Sequence, residues 1–283
     1  MIRDAKNIDI DGDGRDEIII MKDMSNLDIF KVENSKITKV TSHYNLENVK
    51  GYWSSMNIAD IDGDGDKDIL VCNKGLNNRF SQKNREIEIH INDFDGNGEI
   101  EQIYCYKENN KIYPWVLKDE LVKQIPVLKK KILKYNIYAK STMSELFDDK
   151  ILKNSIVYKI NEFRTGIFYL ANGKYTFKPL PNEAQWTDQK ASLIDDFNND
   201  NLPDLIIGGN QFRSKPEIGI NAASYGMFFI NLGKGDFKYI ENSTSGLCIE
   251  GEIREILPLK LEGKNYILFA RNNNDFVLYK YNN

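Results

Sequence analysis

The sequence predicts an all-β fold of the β-propeller type, with about five to seven blades. Short apolar or alternating runs, typical of strands, recur at intervals of about 40–50 residues, the length of a four-stranded blade. An acidic loop punctuated by glycine recurs four times, at residues 9–17, 60–68, 93–101 and 196–204, and each copy runs into an apolar stretch. We call these copies loops 1 to 4. Repetition of both features along one chain predicts a radially repeated β architecture.

The composition favours a packed protein with a core of its own. The 283 residues are 41% hydrophobic, and 38 basic against 42 acidic residues give a formal net charge of −4. This near-balance argues against a nucleic-acid-binding protein, which normally carries a strong basic excess. No apolar run approaches the ~18–20 residues of a membrane span. We therefore expect one propeller domain over residues 1–283, with no nucleic-acid partner and no membrane span.

The strands follow from apolar patterns and turn signals. Residues 18–21 form a continuous apolar run after loop 1, which predicts a strand buried on both faces. The pattern restarts at residues 51–83 and again at residues 86–113. Further along the chain, Asn172-Gly173 separates two alternating runs and predicts a two-residue hairpin turn.

One stretch, residues 115–151, predicts a small helical insertion in the propeller. Pro126 suits the first turn of a helix, where its missing N–H costs nothing. Thr142 and Glu145 fit a capping box for a further helix that ends near Leu152. The lysines of this segment favour a solvated helix face over a site for an acidic partner.

The chemistry of the recurrent loops predicts calcium sites. Acidic side chains occupy alternate positions, and Ca²⁺ takes 6–8 oxygen ligands at about 2.3–2.6 Å. Position 7 varies in chemistry, which suits a backbone carbonyl ligand. We therefore predict up to four Ca²⁺ ions as cofactors. The predicted ligand positions are Asp9, Asp11, Asp13, Arg15 and Glu17 in loop 1; Asp60, Asp62, Asp64, Asp66 and Asp68 in loop 2; Asp93, Asp95, Asn97, Glu99 and Glu101 in loop 3; and Asp196, Asn198, Asp200, Leu202 and Asp204 in loop 4.

The loops are not predicted to be EF-hands. An EF-hand needs a bidentate Glu at position 12 and flanking helices, whereas position 12 here is apolar and falls within a strand in every copy. Because more carboxylates generally mean tighter binding, we expect loop 2 to bind Ca²⁺ best and loop 4 worst. In loop 4, Asn198 replaces an acid and Asn201 replaces the glycine at position 6.

The motif Asp-x-Asp-Gly-Asp-Gly-x-x-Asp before an apolar strand resembles the FG-GAP/VCBS repeat of integrin-type propellers. Other stretches resemble the ASPIC/UnbV group, proteins related to cartilage acidic protein. The resemblance implies a Ca²⁺-stabilised propeller that is extracellular, on the cell surface or periplasmic, within a longer chain. No signal-peptide pattern precedes loop 1, so this location rests on the resemblance alone. The stretches are residues 77–80, 113–114, 118–121, 180–185 and 208–210.

We expect a non-catalytic binding or adhesion module for a glycan or protein ligand. Long connections on a rigid scaffold often carry function, and residues 210–226 form such a connection. Trp186 either offers a platform for sugar stacking or packs at a blade edge. Arg254, Arg271 and Asn272 are weaker candidates for lining a channel. The candidate ligand-binding residues are Trp186, Asn210, Gln211, Arg213, Glu217 and Asn221.

The alternative function is a propeller enzyme, a polysaccharide lyase or hydrolase. Glu183 and Glu217 would then be the acid and base, although the sequence does not bring them together. The two histidines, His43 and His90, have no nucleophile or metal-ligand companion at a useful spacing. The sequence therefore favours the binding module.

Overall fold

The computed structural model describes residues 1–81, 86–215 and 218–281. It is mostly β, with 44% strand and 15% helix, in several antiparallel sheets. The prediction of an all-β fold is confirmed at this level. The strands are β1 (Ile2–Ile8), β2 (Glu17–Lys22), β3 (Leu27–Glu33), β4 (Lys36–Lys39), β5 (Ser55–Ala59), β6 (Asp68–Cys72), β7 (Glu86–Asn92), β8 (Glu101–Glu108), β9 (Lys111–Pro114), β10 (Ile156–Ile160), β11 (Gly166–Ala171), β12 (Lys174–Pro179), β13 (Gln189–Asp195), β14 (Asp204–Gly209), β15 (Met227–Asn231), β16 (Phe237–Ile240), β17 (Glu252–Leu261), β18 (Lys264–Asn272) and β19 (Val277–Tyr281).

The helices are short and lie mostly in the predicted helical stretch. Single 3₁₀ turns join several of the strands. The α-helices are α1 (Lys118–Gln124), α2 (Tyr135–Tyr138), α3 (Met143–Leu146), α4 (Asp149–Lys153) and α5 (Asn242–Ser245), and the 3₁₀ helices are Thr41–Tyr44, Arg79–Ser81, Pro126–Lys130 and Asn182–Gln185.

The chain forms two compact units. Unit 1 comprises Met1–Ser81 and Glu162–Asn283, and unit 2 comprises Gln82–Asn161. Unit 2 is an insertion in the sequence of unit 1, because β6 and β11 lie on either side of it and pair with each other, Leu70 opposite Ile167. The inserted stretch is therefore longer than the predicted helical insertion and carries loop 3. The single domain expected over residues 1–283 stays a prediction.

Unit 1 contains three four-stranded sheets and one three-stranded sheet among its described residues. The strand orders are β1-β2-β3-β4, β12-β11-β6-β5, β13-β14-β15-β16 and β17-β18-β19, which we number sheets 1 to 4. The predicted Asn172-Gly173 turn joins β11 to β12, and both residues have positive φ. This prediction is confirmed.

Neighbouring sheets of unit 1 pack face to face through apolar side chains. Sheet 2 lies between sheets 1 and 3, and sheet 3 lies between sheets 2 and 4. For this reason the central strands β6 and β14 are buried along their whole length. Residues from neighbouring sheets share one apolar cluster at each of the three interfaces: Met21 and Val71, Leu70 and Leu205, and Ile206 and Phe269.

Strand β2 shows where a prediction about burial is wrong. Ile19 and Met21 are fully buried against sheet 2, whereas Ile18 and Ile20 are only partly buried. The residues alternate because sheet 1 is packed on one face, so a continuous apolar run does not imply burial on both faces here.

Unit 2 packs helices against the sheet β10-β7-β8-β9. The predicted capping box is present: Thr142 Oγ1 accepts the N–H of Glu145, and the Glu145 carboxylate accepts the N–H of Thr142 over 2.8 Å. However, α3 ends at Leu146 rather than near Leu152, because Phe147 has an extended backbone and α4 begins separately. Pro126 does start a helix, a 3₁₀ helix.

Candidate metal sites

Each loop joins the two strands of an antiparallel hairpin: β1–β2, β5–β6, β7–β8 or β13–β14. In loops 1 to 3 the position-1 carboxylate organises the loop, because it accepts the backbone N–H groups of positions 4 and 6. In loop 2, Gly63 and Gly65 donate to Asp60 over 2.9 and 3.0 Å. The equivalent bonds run from Gly12 and Gly14 to Asp9 and from Gly96 and Gly98 to Asp93.

Positions 4 and 6 have positive φ in all four loops. In loop 2 the values are 81° at Gly63 and 95° at Gly65. A Cβ at either glycine would meet no atom within 4 Å, so the backbone conformation rather than space favours glycine. Loop 4 has Asn199 at 59° and Asn201 at 67°, and asparagine tolerates this region. The replacement of glycine in loop 4 therefore keeps the shape of the loop, and Asn201 still donates to Asp196 over 2.9 Å.

Loop 2 brings Asp60, Asp62 and Asp68 together, with one carboxylate oxygen of each within 4.8 Å of the others. Asp68 is fully buried; its Oδ2 accepts the N–H of Ile61 over 2.9 Å and its Oδ1 the N–H of Leu170 over 3.0 Å. Burial raises the pKa of Asp68 to about 6. No lysine or arginine of the described chain forms an ion pair with these three carboxylates. Crowded, desolvated carboxylates without a cation are a donor set that fits Ca²⁺.

The other two predicted acids of loop 2 lie outside this trio. Asp64 Oδ1 accepts the N–H of Asp66 over 2.9 Å, and the same bond between positions 5 and 7 recurs in every loop. The side chain at position 5 therefore shapes the turn. The proposed carbonyl ligand at position 7 (Arg15, Asp66, Glu99 and Leu202) stays a prediction.

Loop 3 repeats this arrangement in unit 2. Asp93, Asp95 and Glu101 place one oxygen each within 4.8 Å of one another. Glu101 is buried, accepts the N–H of Phe94 over 2.8 Å and has its pKa raised by that burial. The backbone N–H of Gly98 lowers the pKa of Asp93. Loop 3 therefore offers a second donor set that fits Ca²⁺.

Loop 1 differs because the protein supplies a cation of its own. Asp9, Asp11 and Asp13 group their oxygens within the same 4.8 Å. The Lys31 ammonium contacts Asp11, and its Nζ lies 3.3 Å from Oε1 of Glu17 and 3.5 Å from Oδ2 of Asp13. Hydrogen bonding to Asp11 raises the pKa of Lys31. An ammonium group therefore already contacts three of the four predicted carboxylates.

Arg15 adds a second positive charge to loop 1. Its guanidinium donates to Oδ2 of Asp13 over 2.9 Å, and this hydrogen bond lowers the pKa of Asp13. Loop 1 thus has the acidic pattern of loop 2 but two cationic partners that loop 2 does not have within the described residues.

The strand register explains the position of Lys31, which the sequence analysis missed. Ile18 of β2 pairs with Phe30 of β3, so the next step along both strands places Lys31 opposite Glu17. The alternating run at residues 27–32 predicts the strand that carries Lys31. Only the register of that strand with β2 shows that Lys31 lies opposite Glu17. The residues opposite the closing acid are Lys31 in sheet 1, Tyr169 in sheet 2 and Ile230 in sheet 3.

Loop 4 has the weakest donor set. Among the described residues, no three acidic, histidine or cysteine ligand atoms of loop 4 come within 4.8 Å. Asp204 Oδ1 accepts the N–H of Asn231 over 2.9 Å, but its buried Oδ2 has no hydrogen-bond partner among the described residues. The Asn231 side chain also donates to the carbonyl of Ile61 over 2.8 Å, which links loop 4 to loop 2.

Among the candidate ligand-binding residues, Asn210 is buried. Its Nδ2 donates to the carbonyls of Ser224 and Gly251 over 2.7 and 2.9 Å, and its Oδ1 accepts from Thr187 over 2.9 Å. The Asn210 amide is thus engaged within the protein, as in a structural residue.

The connection after β14 is held closed by backbone pairing. Gln211 and Asn221 exchange hydrogen bonds of 2.7 and 2.9 Å, so this long connection is a closed loop. Arg213 is exposed, and Glu217 lies outside the described residues.

The remaining candidates take different positions in unit 1. Trp186 is 40% exposed, and its ring packs edge-on to Tyr239 with 5.9 Å between centroids. This contact agrees with packing at a sheet edge and leaves part of the indole free. Arg254 lines a cavity, whereas Arg271 donates to the carbonyl of Glu250 over 2.9 Å.

Comparison with protein-family models finds an FG-GAP-like repeat at residues 9–71. The match runs from the start of loop 1 through loop 2 into β6. No curated protein matches the chain. Within the described residues, no helix is long and apolar enough to cross a membrane.

Proposed function

We propose that this chain is a calcium-binding β-propeller that works as a non-catalytic binding module for a glycan or protein ligand. The observation that carries the calcium part is the trio Asp60, Asp62 and Asp68. Asp68 is fully buried, and none of the three carboxylates pairs with a described cation. The FG-GAP-like repeat over residues 9–71 and the face-to-face packing of sheets 1 to 4 support the propeller. Membership of the ASPIC/UnbV group and an extracellular, cell-surface or periplasmic location belong to the same proposal.

Calcium supplies two positive charges and accepts several oxygen ligands at once. In loop 2, Asp60, Asp62 and Asp68 would hold it, with the position-7 carbonyl of Asp66 as a further ligand. Asp68 also bonds to Leu170 on β11, so an ion there ties the loop to the third strand of its sheet. The expected role is structural: the ion fixes the hairpin, and the ligand binds elsewhere.

The test compares two neighbouring aspartates of loop 2. Asp62→Asn removes a carboxylate from the trio, whereas the matched control Asp66→Asn removes the same charge but keeps a backbone carbonyl at position 7. At 100 times the dissociation constant, calcium should raise the melting temperature by about 5–10 °C. Asp62→Asn should lose one calcium equivalent and most of this gain, and Asp66→Asn should keep both.

Calorimetric titration and thermal melts with calcium, magnesium or a chelator provide the readout. If the wild-type protein takes up no calcium, or if the two variants behave alike, the calcium assignment is wrong. The alternative of a polysaccharide lyase or hydrolase stays a hypothesis, since Glu217, one of the two carboxylates that it requires, lies outside the described residues.

A further inference from the structure

Unit 1 has a cavity of about 380 Å³ at the opposite end of its strands from loops 1, 2 and 4. Residues near the start of the first strand of every sheet of unit 1 line it. The cations of the lining are Arg3, Lys190, Arg254 and Lys74, which follows the end of β6. The volume lies within the ~300–1,000 Å³ typical of small-molecule sites. Because four sheets contribute, the cavity is a feature of the whole scaffold rather than of one loop.

The charges at this cavity are layered. The side chain of Asp188 is 3% exposed, while that of Lys190, which pairs with it over 2.8 Å, is 24% exposed. Glu252 is 4% exposed and Arg254 is 33% exposed, with 3.0 Å between them. Asp23 is 11% exposed beside Arg3 at 43%. All three carboxylates are therefore more buried than their cations, and the surface offered to a ligand is positive.

The positive charge is in excess around Asp188. Lys190 Nζ lies 2.8 Å from its Oδ1, and Lys74 Nζ lies 3.4 Å from its Oδ2. One buried carboxylate thus serves two ammonium groups, which leaves a net positive charge at the cavity wall. An anion placed there would gain from both lysines without disturbing Asp188.

Arg254 is held in place beside them. Its guanidinium donates to the carbonyl of Asn210 over 3.1 Å and pairs with Glu252. Glu252 is itself fixed by the N–H of Phe212 over 2.7 Å and by Asn272 over 2.6 Å. A cation fixed in this way pays little entropy on binding, so the site is preorganised for an anion.

We propose that this cavity binds the carboxylate of an acidic sugar, which deepens the proposed binding-module function and rests on it. Lys74, Lys190 and Arg254 take the carboxylate. Ser54 and Gln211 also line the cavity. The Ser54 hydroxyl donates to the carbonyl of Gln189 and the Gln211 amide to that of Arg213, so their side-chain oxygens can accept from the hydroxyl groups of a sugar ring.

The test titrates the protein with D-glucuronate, followed by NMR chemical-shift changes. D-glucose tests the need for the charge, and sulfate tests the need for the sugar. Lys74→Gln and Lys190→Gln are made singly, because each leaves Asp188 paired with the other lysine and so preserves the fold. Each should weaken glucuronate binding about tenfold. The matched control, Lys178→Gln, removes an exposed lysine that pairs with Asp236 over 2.7 Å and should change nothing.

Saturable glucuronate binding that glucose and sulfate do not match, and that both cavity variants weaken, supports the proposal. Equal binding of glucose or of sulfate, wild-type affinity in both lysine variants, or no glucuronate binding at millimolar concentration overturns it. The comparison of ligands uses the wild-type protein, so it decides even if a variant fails to fold. The calcium titration of Asp62→Asn reports on the other end of the strands, so either proposal can fail alone.

Discussion

Loops 1 and 2 have nearly the same acidic pattern but different neighbours on the adjoining strand. In loop 1 the Lys31 ammonium lies against Asp11, Asp13 and Glu17. In loop 2 the same register position holds Tyr169, whose hydroxyl donates to the carbonyl of Gly235 over 3.3 Å. The number of motif copies therefore does not give the number of metal sites, because a neighbouring strand can supply the cation.

Loops 1 and 2 should therefore differ in how much they depend on calcium. A lysine on β3 is already part of the chain, so it compensates loop 1 without losing the freedom of a separate ion. It brings one charge, however, whereas calcium brings two. We therefore expect loop 1 to be formed without calcium and loop 2 to depend on it. The expectation that loop 2 binds calcium best stays, and we now expect loop 1 to bind more weakly than loop 3.

The largest effect should come from Lys31→Ile, which gives sheet 1 the residue that sheet 3 has at this register position. Without calcium, the loss of the ammonium should lower the free energy of unfolding by about 1–3 kcal/mol, because the carboxylates around it lose a charged partner. With calcium, loop 1 of the variant should bind an ion at concentrations that leave loop 1 of the wild type empty, which adds one equivalent there. Chemical denaturation and calorimetric titration measure the two effects.

A matched control for this change is Lys107→Ile, which also removes a strand lysine. Lys107 pairs with Glu86 at 3.4 Å in an exposed position, so the variant should lose at most about 0.5 kcal/mol and gain no calcium. Unchanged calcium stoichiometry in Lys31→Ile would show that the lysine does not decide whether loop 1 binds calcium.

The pH dependence of calcium binding at loop 2 is a further test of the difference between the two loops. Because burial raises the pKa of Asp68 to about 6, calcium must displace a proton at lower pH. The apparent calcium affinity should fall about tenfold between pH 7 and pH 5. In the calcium-free protein, Asp68 lowers stability as the pH rises from 3.8 towards 6, since the folded state retains a proton that the unfolded state has released.

The titration is best done in an Asp95→Asn background, which weakens loop 3 and leaves loop 2 as the main site. Calorimetry in two buffers of different ionisation enthalpy measures the proton released on binding. Equal affinity at both pH values, with no proton release, would show that Asp68 is already ionised in the calcium-free protein.

A smaller effect is expected when the lysine of sheet 1 is copied into sheet 3. Ile230→Lys places an ammonium opposite Asp204, whose buried Oδ2 has no partner among the described residues. The calcium-free protein should gain about 0.5–1 kcal/mol, and any calcium bound at loop 4 should be lost. The control is Ile230→Met, which has a similar length and no charge. A loss of stability in the lysine variant alone would show that burying its charge destabilises the protein more than the new ion pair stabilises it.

Particular residues show how much of the structure can be predicted from the sequence. The four loops, the Asn172-Gly173 hairpin and the Thr142–Glu145 capping box depend on neighbours in the chain, and the sequence located all of them. The role of Lys31 depends on its pairing with a strand that begins at Glu17, so spacing alone does not reveal it. The same holds for the cavity, whose cations lie on or next to four separate sheets.

The sequence predicts an insertion over residues 115–151, but its full extent, residues 82–161, depends on distant pairing for a related reason. Only the pairing of β6 with β11 shows that the sheet of β5 and β6 is completed after residue 161. Local patterns predict elements, whereas long-range pairing decides which sheet each element joins.

Position 6 of loops 2 and 4 gives a last comparison. Gly65 has φ of 95° and its counterpart Asn201 has φ of 67°. Gly65→Ala should cost about 1–2 kcal/mol, because alanine disfavours this conformation although nothing lies within 4 Å of the added Cβ. Gly65→Asn should cost about half as much or less, since asparagine adopts positive φ more readily. Denaturation of both variants in chelator separates this backbone effect from metal binding. If the two substitutions cost the same, the asparagine of loop 4 owes its tolerance to its surroundings rather than to its own backbone preference.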